Sequence, residues 1–484
     1  MRLMHLRIGL AFVVVGLTME ACASGSNTQP PGGSGEDSGS RPAGSDGGLL
    51  LLPDRPSSGS GSGSGSSVDS GSSGGSGSGS GSDGGGGTGT GSSSGSVDSG
   101  PPPSAAGYAI PLAAPGGPDF EYTAQVTVGD QSFVMSIDTG SSTAALAGTS
   151  CSGCTAVSPL YTPSSSATTS GQKASSEYED GSSWSGPIYT DTVGLGEGTP
   201  SISLKLADIT KAKTFFDGQN DYQGILGLGP TQNVVTGTTA YMPAVMAAGV
   251  ANLFAFQLCD VTGANAGTMW LGGNGGFSGT IIYTPLVAIS DNNPYYAINV
   301  DAMTLGGTSI VTGASATFAQ PVLDTGTSLF YVPTSVFNSF QTALEASAGF
   351  KAVFGTQTFA TSGQDEGCVT DATATDAEVE SMLPQISLSL PNVTSGQPDV
   401  TIQASSLDTY LYNGGSGMYC LAIQDGGTQD PSTFGDAFMQ AFGISIDLGA
   451  QQIGFAPTAC ATPQIHQPHH PARLGPHRPA RTHR

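Results

Sequence analysis

Apolar and polar positions alternate along much of the chain from Tyr108 to Gly326, the period of a strand with one buried face. In Tyr122-Thr-Ala-Gln-Val-Thr-Val128 the alternation is regular, Gly129-Asp130 supplies turn chemistry, and Ser132 to Ile137 returns as a partner strand. That order predicts a hairpin. Helix-period stretches are few and short, the best being Met242 to Ala248 and Ser335 to Ala346. The pattern therefore predicts an all-β, mainly antiparallel protein with few short helices.

The hairpin feeds Ile137-Asp138-Thr139-Gly140-Ser141-Ser142, and 186 residues later an apolar run feeds Leu323-Asp324-Thr325-Gly326-Thr327-Ser328. One Asp-Thr-Gly is a weak signal, because Asp and Gly often meet at turns. Two copies, each entered from a strand and continued by Ser or Thr, read as one site built from two similar halves. Two carboxyls held within hydrogen-bond reach cannot both ionise, so the pair keeps one proton over a broad acidic range. Such a pair takes a proton from water with one member while the other donates to a substrate carbonyl. Gly140 and Gly326 let backbone N–H groups approach the carboxylates, Ser141 and Thr327 offer hydroxyls, and Thr139 and Thr325 are placed to lock the loops together. The alternative, two unrelated turn aspartates, does not account for the repeat.

Composition divides the chain. Residues 1–22 carry Arg2 and Arg7 before an apolar run from Ile8 to Met19, too short to span a membrane as a stable helix. The run ends in Met19-Glu20-Ala21-Cys22, which resembles a bacterial lipoprotein cleavage box with Cys22 as the acylated residue; an ordinary signal peptide with a stray cysteine is the alternative. Residues 23–106, mostly Ser and Gly, read as a disordered linker. The body, 107–460, holds five of the 13 basic residues (Lys173, Lys205, Lys211, Lys213 and Lys351), no Arg, and 29 of the 37 acidic ones, a net charge of −24. Nucleic-acid binding needs clustered Lys and Arg and is disfavoured. Self-repulsion eases as carboxylates protonate, which suits acidic surroundings. Residues 461–484 form a basic, His- and Pro-rich tail that reads as disordered.

All six histidines (His5, His466, His469, His470, His477 and His483) lie outside the body. Ser-His-Asp and Cys-His catalysis and His-based zinc sites are thereby unavailable to it, and no phosphate-binding glycine loop follows a strand. No metal and no cofactor is expected. Seven cysteines fit an exported protein: acylated Cys22 explains the odd one and leaves six to pair. Cys151-x-x-Cys154 is open to a redox or zinc reading, but its Ser/Thr-rich loop favours a small structural disulfide.

These residues together resemble the pepsin-like aspartic proteases, over nearly all of 107–460. Tyr178-Glu179-Asp180-Gly181-Ser182 resembles the flap hairpin whose Tyr closes over substrate, and Asp180-Gly181 is hairpin-turn chemistry in its own right. Gln223-Gly-Ile-Leu-Gly-Leu-Gly229 is similar to the segment beneath the first Asp loop, with Gln223 replacing Asp. Thr433-Phe-Gly-Asp-Ala-Phe-Met439, then Asp447 and Ile453-Gly-Phe-Ala456, resemble the closing strands of the second lobe. The resemblance implies a bilobed fold with a central cleft, an N-lobe at about 107–285 and a C-lobe at about 286–460. It also implies disulfides Cys151–Cys154 and Cys368–Cys420, leaving Cys259 with Cys460.

Three departures stand out. The family's Trp after the first Asp loop, which holds the flap Tyr, is replaced by Ala144, Ala145 and Leu146, with Trp184 the candidate to take over its packing. Glu179 stands where the family has Gly. No basic pro-segment is recognisable, since residues 23–106 hold only Arg41 and Arg55. The resemblance implies an endopeptidase acting on polypeptides through Asp138 and Asp324, with Tyr178 and Gly181 in the flap. The whole predicts an exported monomer, an outer-membrane or cell-surface lipoprotein touching membrane only through its anchor, or otherwise secreted. The rivals are a non-catalytic peptide-binding or inhibitor protein on the same fold, and a glycoside hydrolase, which also uses two carboxylates.

Overall fold

The computed structural model describes residues 107–114, 121–178, 181–216, 222–275, 277, 279–312, 318, 320–359, 367–370, 373–407, 409–415, 417–427, 432–457 and 460, with short interruptions at 260–262. The leader, Cys22, the Ser/Gly-rich stretch and the basic tail lie outside the described residues, as do Glu179 and Asp180.

The first half contributes β1 (Tyr108–Ala114), β2 (Thr123–Val128), β3 (Gln131–Asp138), β4 (Ala144–Ser152), β5 (Thr168–Glu177), β6 (Ser183–Leu195), β7 (Ile202–Lys213), β8 (Gly224–Gly227), β9 (Leu253–Leu258), β10 (Gly263–Leu271) and β11 (Ile282–Pro285). The second contributes β12 (Ala302–Leu305), β13 (Thr308–Thr312), β14 (Val322–Leu323), β15 (Phe330–Val332), β16 (Cys368–Thr370), β17 (Ile386–Leu390), β18 (Val400–Ala404), β19 (Leu411–Gly415), β20 (Met418–Leu421), β21 (Ile423–Asp425), β22 (Thr433–Phe434), β23 (Phe442–Asp447) and β24 (Gln452–Pro457). The protein is all-β, with most strand pairs antiparallel.

Alternation in sequence becomes alternation in burial. In β2, Ala124, Val126 and Val128 are buried while Gln125 and Thr127 face solvent, and β3 pairs with it antiparallel from Val128↔Gln131 onward. Phe133, Met135 and Ile137 of β3 enter the main core, and Val134 packs against a second cluster containing Tyr178, Trp184, Phe215 and Ile225. β3 thus has apolar contacts on both faces, which fixes its register and the position of Asp138 at its end.

One wiring occurs twice. β3 runs parallel to β8, β8 pairs antiparallel with β4, and β4 runs parallel to β7. In the second half β14 runs parallel to β22, β22 pairs antiparallel with β15, and β15 runs parallel to β21. Each Asp-Thr-Gly loop joins the first of these strands to the next one in sequence. The halves are stitched by a 13-stranded sheet in which β24 and β23 lie beside β9 and β10. Beside it, Cys259 is disulfide-bonded to Cys460, and Gln440 donates to the Tyr122 hydroxyl (2.8 Å), which donates to the Cys259 carbonyl (3.0 Å). The other disulfides are Cys151–Cys154 and Cys368–Cys420.

The helices differ in part from the sequence reading. α1 (Tyr241–Ala247) and α2 (Thr334–Ala346) start within a residue of the expected stretches. α3 (Ala348–Phe354), α4 (Asp376–Met382) and α5 (Asp436–Met439) were not expected. The last corrects the strand reading of Thr433–Met439. β22 stops at Phe434 because the N–H groups of Phe438 and Met439 both bond to the Gly435 carbonyl, winding one helical turn before β23 begins.

Candidate active site

Strand β3 delivers Asp138, and β14 delivers Asp324, to the same place. Thr139 and Thr325 hold the two loops together reciprocally. The amide of Thr139 donates to the Thr325 hydroxyl and that of Thr325 to the Thr139 hydroxyl, each at 3.0 Å. The Thr139 hydroxyl donates in turn to Leu323 O (2.8 Å) and the Thr325 hydroxyl to Ile137 O (2.9 Å). All four groups are buried, where an unmade bond costs most.

Each carboxylate is held alike. The Gly140 amide donates to Asp138 Oδ1 (2.8 Å) and Ser141 Oγ to Oδ2 (2.6 Å). The Gly326 amide donates to Asp324 Oδ1 (2.8 Å) and Thr327 Oγ1 to Oδ2 (2.7 Å). The glycines are required by close approach. A Cβ on Gly140 would lie 2.5 Å from the Asp324 carboxyl carbon, and one on Gly326 would lie 2.5 Å from Asp138 Oδ1. Each loop therefore presses its backbone against the opposite aspartate, and the structure brings Asp138, Asp324, Thr139, Gly140, Ser141, Thr325, Gly326 and Thr327 into one cluster.

Burial first, and the Asp138 charge second, push the Asp324 carboxyl well above the ordinary carboxylate range; bonds from Thr327 and Gly326 oppose the shift, and a hydrogen bond with Asp138 adds to it. A pair in which one member resists ionisation holds a single proton. A third carboxyl lies close by. Asp436, at the start of α5, is buried, and its Oδ1 has no hydrogen-bond partner among the described residues. Burial and the charges of Asp324, Glu121 and Asp138 push it well up. Its backbone N–H donates to Thr327 O (2.8 Å), so α5 braces the loop of Asp324. The loop of Asp138 is braced by Leu228 N–H to Asp138 O (2.7 Å) and by Asn233 Nδ2 to Gly140 O (2.8 Å). Gln223, where the resemblance has Asp, is buried and accepts from Val134 N (2.8 Å).

Tyr178 directly follows β5, at the turn of the β5–β6 hairpin. Its N–H donates to Ser182 O, and Gly181 N–H donates to Tyr178 O, both at 2.9 Å. Trp184 Nε1 donates to the Tyr178 hydroxyl (2.9 Å), and the Tyr178 ring stacks on Phe215 with centroids 5.5 Å apart. The indole that holds this tyrosine thus comes from the hairpin's own second strand, while Ala145 occupies a small place in the same cluster. Asp436 and Asn233 are contributors that the sequence pattern does not single out, whereas Trp184 is the expected candidate for this support; β6 places it opposite Ser176, on the face that Tyr178 shares.

Residues 121–458 match the family described as eukaryotic aspartyl protease. The chain is 32% identical over 241 residues to Rhizopuspepsin-4 of Rhizopus niveus, covering 48% of this chain and 58% of that protein. To the aspartic protease of Phaffia rhodozyma it is 27% identical over 343 residues, covering 70% and 76%. To secreted aspartic protease 8 of Candida albicans it is 32% identical over 244 residues, covering 46% and 56%. In the first and third of these alignments the chain spans less than two thirds of the relative's length. Among the described residues no helix is long and apolar enough to cross a membrane.

Proposed function

This chain belongs to the pepsin-like aspartic proteases, and from that premise we propose that Asp138 and Asp324 hydrolyse peptide bonds through a water held between them. The observation that carries the proposal is the reciprocal Thr139–Thr325 bonding, which sets two opposed carboxyls with one of them pushed up. Asp324, the protonated member, gives its proton to the scissile carbonyl oxygen. Asp138 takes a proton from the water as the water oxygen bonds to the carbonyl carbon. The tetrahedral diol then collapses: the C–N bond breaks, the amine leaves with the proton from Asp138, and Asp324 regains one from the diol. No acyl-enzyme forms.

The substrate is an extended polypeptide lying between an N-lobe of about 107–285 and a C-lobe of about 286–460. Tyr178 and Gly181 form the flap over it. The protein acts as a monomer, exported as a lipoprotein through Cys22 or secreted. The reading is supported by the family match and by relatives named as aspartic proteases.

The test is cleavage of an unfolded protein across acidic to neutral pH. Asp138→Asn and Asp324→Asn should each abolish turnover while the thermal unfolding profile persists, and a statine-type peptide should inhibit the parent enzyme. Turnover surviving in either variant overturns the assignment.

A further inference from the structure

The body is strongly acidic, yet three of its five lysines gather on one surface. The register across β5, β6 and β7 explains how. Ser175 pairs with Ser185, which pairs with Lys211; Glu177 pairs with Ser183, which pairs with Lys213. Lys173 lies two residues before Ser175. Side chains two residues apart on a strand share a face. Lys173, Lys211 and Lys213 therefore stand on one side of the sheet, while Ala174, Ser176 and Trp184 point to the other. Burial follows the same alternation: these lysines are exposed, and Ala174, Ser176 and Trp184 are buried. Among the described residues none of the three lysines is paired with a carboxylate, and Glu177 is the one acidic side chain on this face.

β5 is also the last strand of its sheet, so among the described residues one edge of its backbone pairs with no strand. Across from Lys173–Glu177 runs the segment Gln232–Thr236, and between them lies a groove of about 780 Å³. Its far wall is part of the site's own frame: Asn233 bonds to Gly140 O, and Val235 N–H to the Thr143 hydroxyl. Its lining also reaches Trp184, on the opposite face of the hairpin, which holds Tyr178.

Resting on the proteolytic reading above, we infer that this groove binds an acidic stretch of the polypeptide substrate, flanking the bond that is cut. A strand at the edge of a sheet offers backbone donors and acceptors to an extended chain. The lysines supply the attraction for carboxylates, and in a body of net charge −24 they form the local exception that makes such a stretch tolerable. The rest of the surface repels it, so charge here selects where along a substrate the acidic residues fall.

The experiment uses pairs of peptides with one scissile core, flanked either by Asp and Glu or by Asn and Gln, at about pH 5.5, where unperturbed side-chain carboxylates are ionised. The parent enzyme should favour the acidic member by about threefold to tenfold in kcat/KM, through KM, as expected for a few exposed charge pairs. High salt should erase the preference. The triple variant Lys173→Gln/Lys211→Gln/Lys213→Gln should cleave the neutral peptide as the parent does and lose the preference. Equal cleavage of both peptides by the parent, or a preference that survives in the triple variant, overturns the inference. Peptide binding to the Asp138→Asn variant reads the groove without turnover. Absence of all cleavage together with selective binding of the acidic peptide would sink the proteolytic reading and leave the groove. Displacement of that peptide by an equal concentration of a short single-stranded oligonucleotide would assign the groove to another polyanion and overturn the inference.

Discussion

The two Asp-Thr-Gly loops are nearly superimposable in their bonding and unlike in what lies beneath them. Each carboxylate takes one bond from a glycine amide and one from a hydroxyl, and each threonine reaches across to the other loop. Register makes Gly227 the partner of Asp138 in β8, and in the second half Asp324 and Gly435 are the residues that follow the last β14–β22 pair, Leu323↔Phe434. The next residues are then Leu228 in the first half and Asp436 in the second: an apolar side chain under one loop, a buried carboxyl under the other. Backbone geometry repeats because the wiring repeats, while electrostatics differ because one side chain does. A site built from two copies thus becomes chemically lopsided without losing its shape.

The sharpest way to break the symmetry is steric. Gly140→Ala drives a methyl into Asp324, and Gly326→Ala drives one into Asp138. Since each carboxyl is pinned by its own loop, both variants should lose about 10²-fold or more in kcat/KM, consistent with the cost of an ångström-scale misplacement. A tenfold difference between the two would show that the loops are not equivalent in placing the carboxyls.

Next in size is the threonine pair. Thr139→Ala and Thr325→Ala each strip the opposite loop of a buried acceptor and a buried donor, and each should cost about 2–4 kcal/mol of stability. Denaturant titration should find the double variant less destabilised than the sum, because both losses fall on one network.

The lopsidedness itself is tested by pH. Asp436 has its carboxyl pushed up by burial and by neighbouring charges, so the folded state binds its proton more tightly than the unfolded chain does. Its stability contribution is therefore present at low pH and is lost as pH rises above the ordinary carboxylate value. Asp436→Asn should raise the melting temperature near pH 7 and change it little near pH 3. Asp208, a buried carboxyl of β7 that desolvation pushes up to about 6, should behave alike. For it the loss falls between about pH 4 and 6, so Asp208→Asn should flatten that limb, by about 1 kcal/mol once partial solvent access is allowed for.

The smallest effect concerns the hairpin. Trp184→Phe keeps a ring and removes the indole donor to Tyr178, which should cost about 1 kcal/mol. KM should rise more than kcat falls if the bond positions the tyrosine over substrate. An unchanged KM would limit Trp184 to packing.

What the sequence disclosed follows the range of the interactions. The Asp-Thr-Gly loops were legible because a motif repeated in context carries its own control, and the β2–β3 hairpin because its signals are local. The α4 helix, opened by the Thr375–Glu378 capping box, is seven residues long, too short for its periodicity to stand out. The turn of α5 was not legible either, since Gly435-Asp436 inside an apolar run reads equally as a strand continuing. The setting of Asp436 depends on the loop after β14, whose Thr327 carbonyl accepts from the Asp436 N–H across more than a hundred residues. The meeting of Lys173, Lys211 and Lys213 depends on a β5–β6–β7 register that a chain pattern does not state.

The placement of β23 beside β9 has a consequence for the order of assembly. In the finished sheet β9 is flanked by β10 on one side and by β23, from the last stretch of the body, on the other. A chain emerging from the ribosome therefore carries an open strand edge for the whole time its second half is being made. Pairing across so many intervening residues is slow. A chain cut short before Phe442 would keep that edge bare, exposed to self-association, so the final strands guard the first half as much as they complete the second.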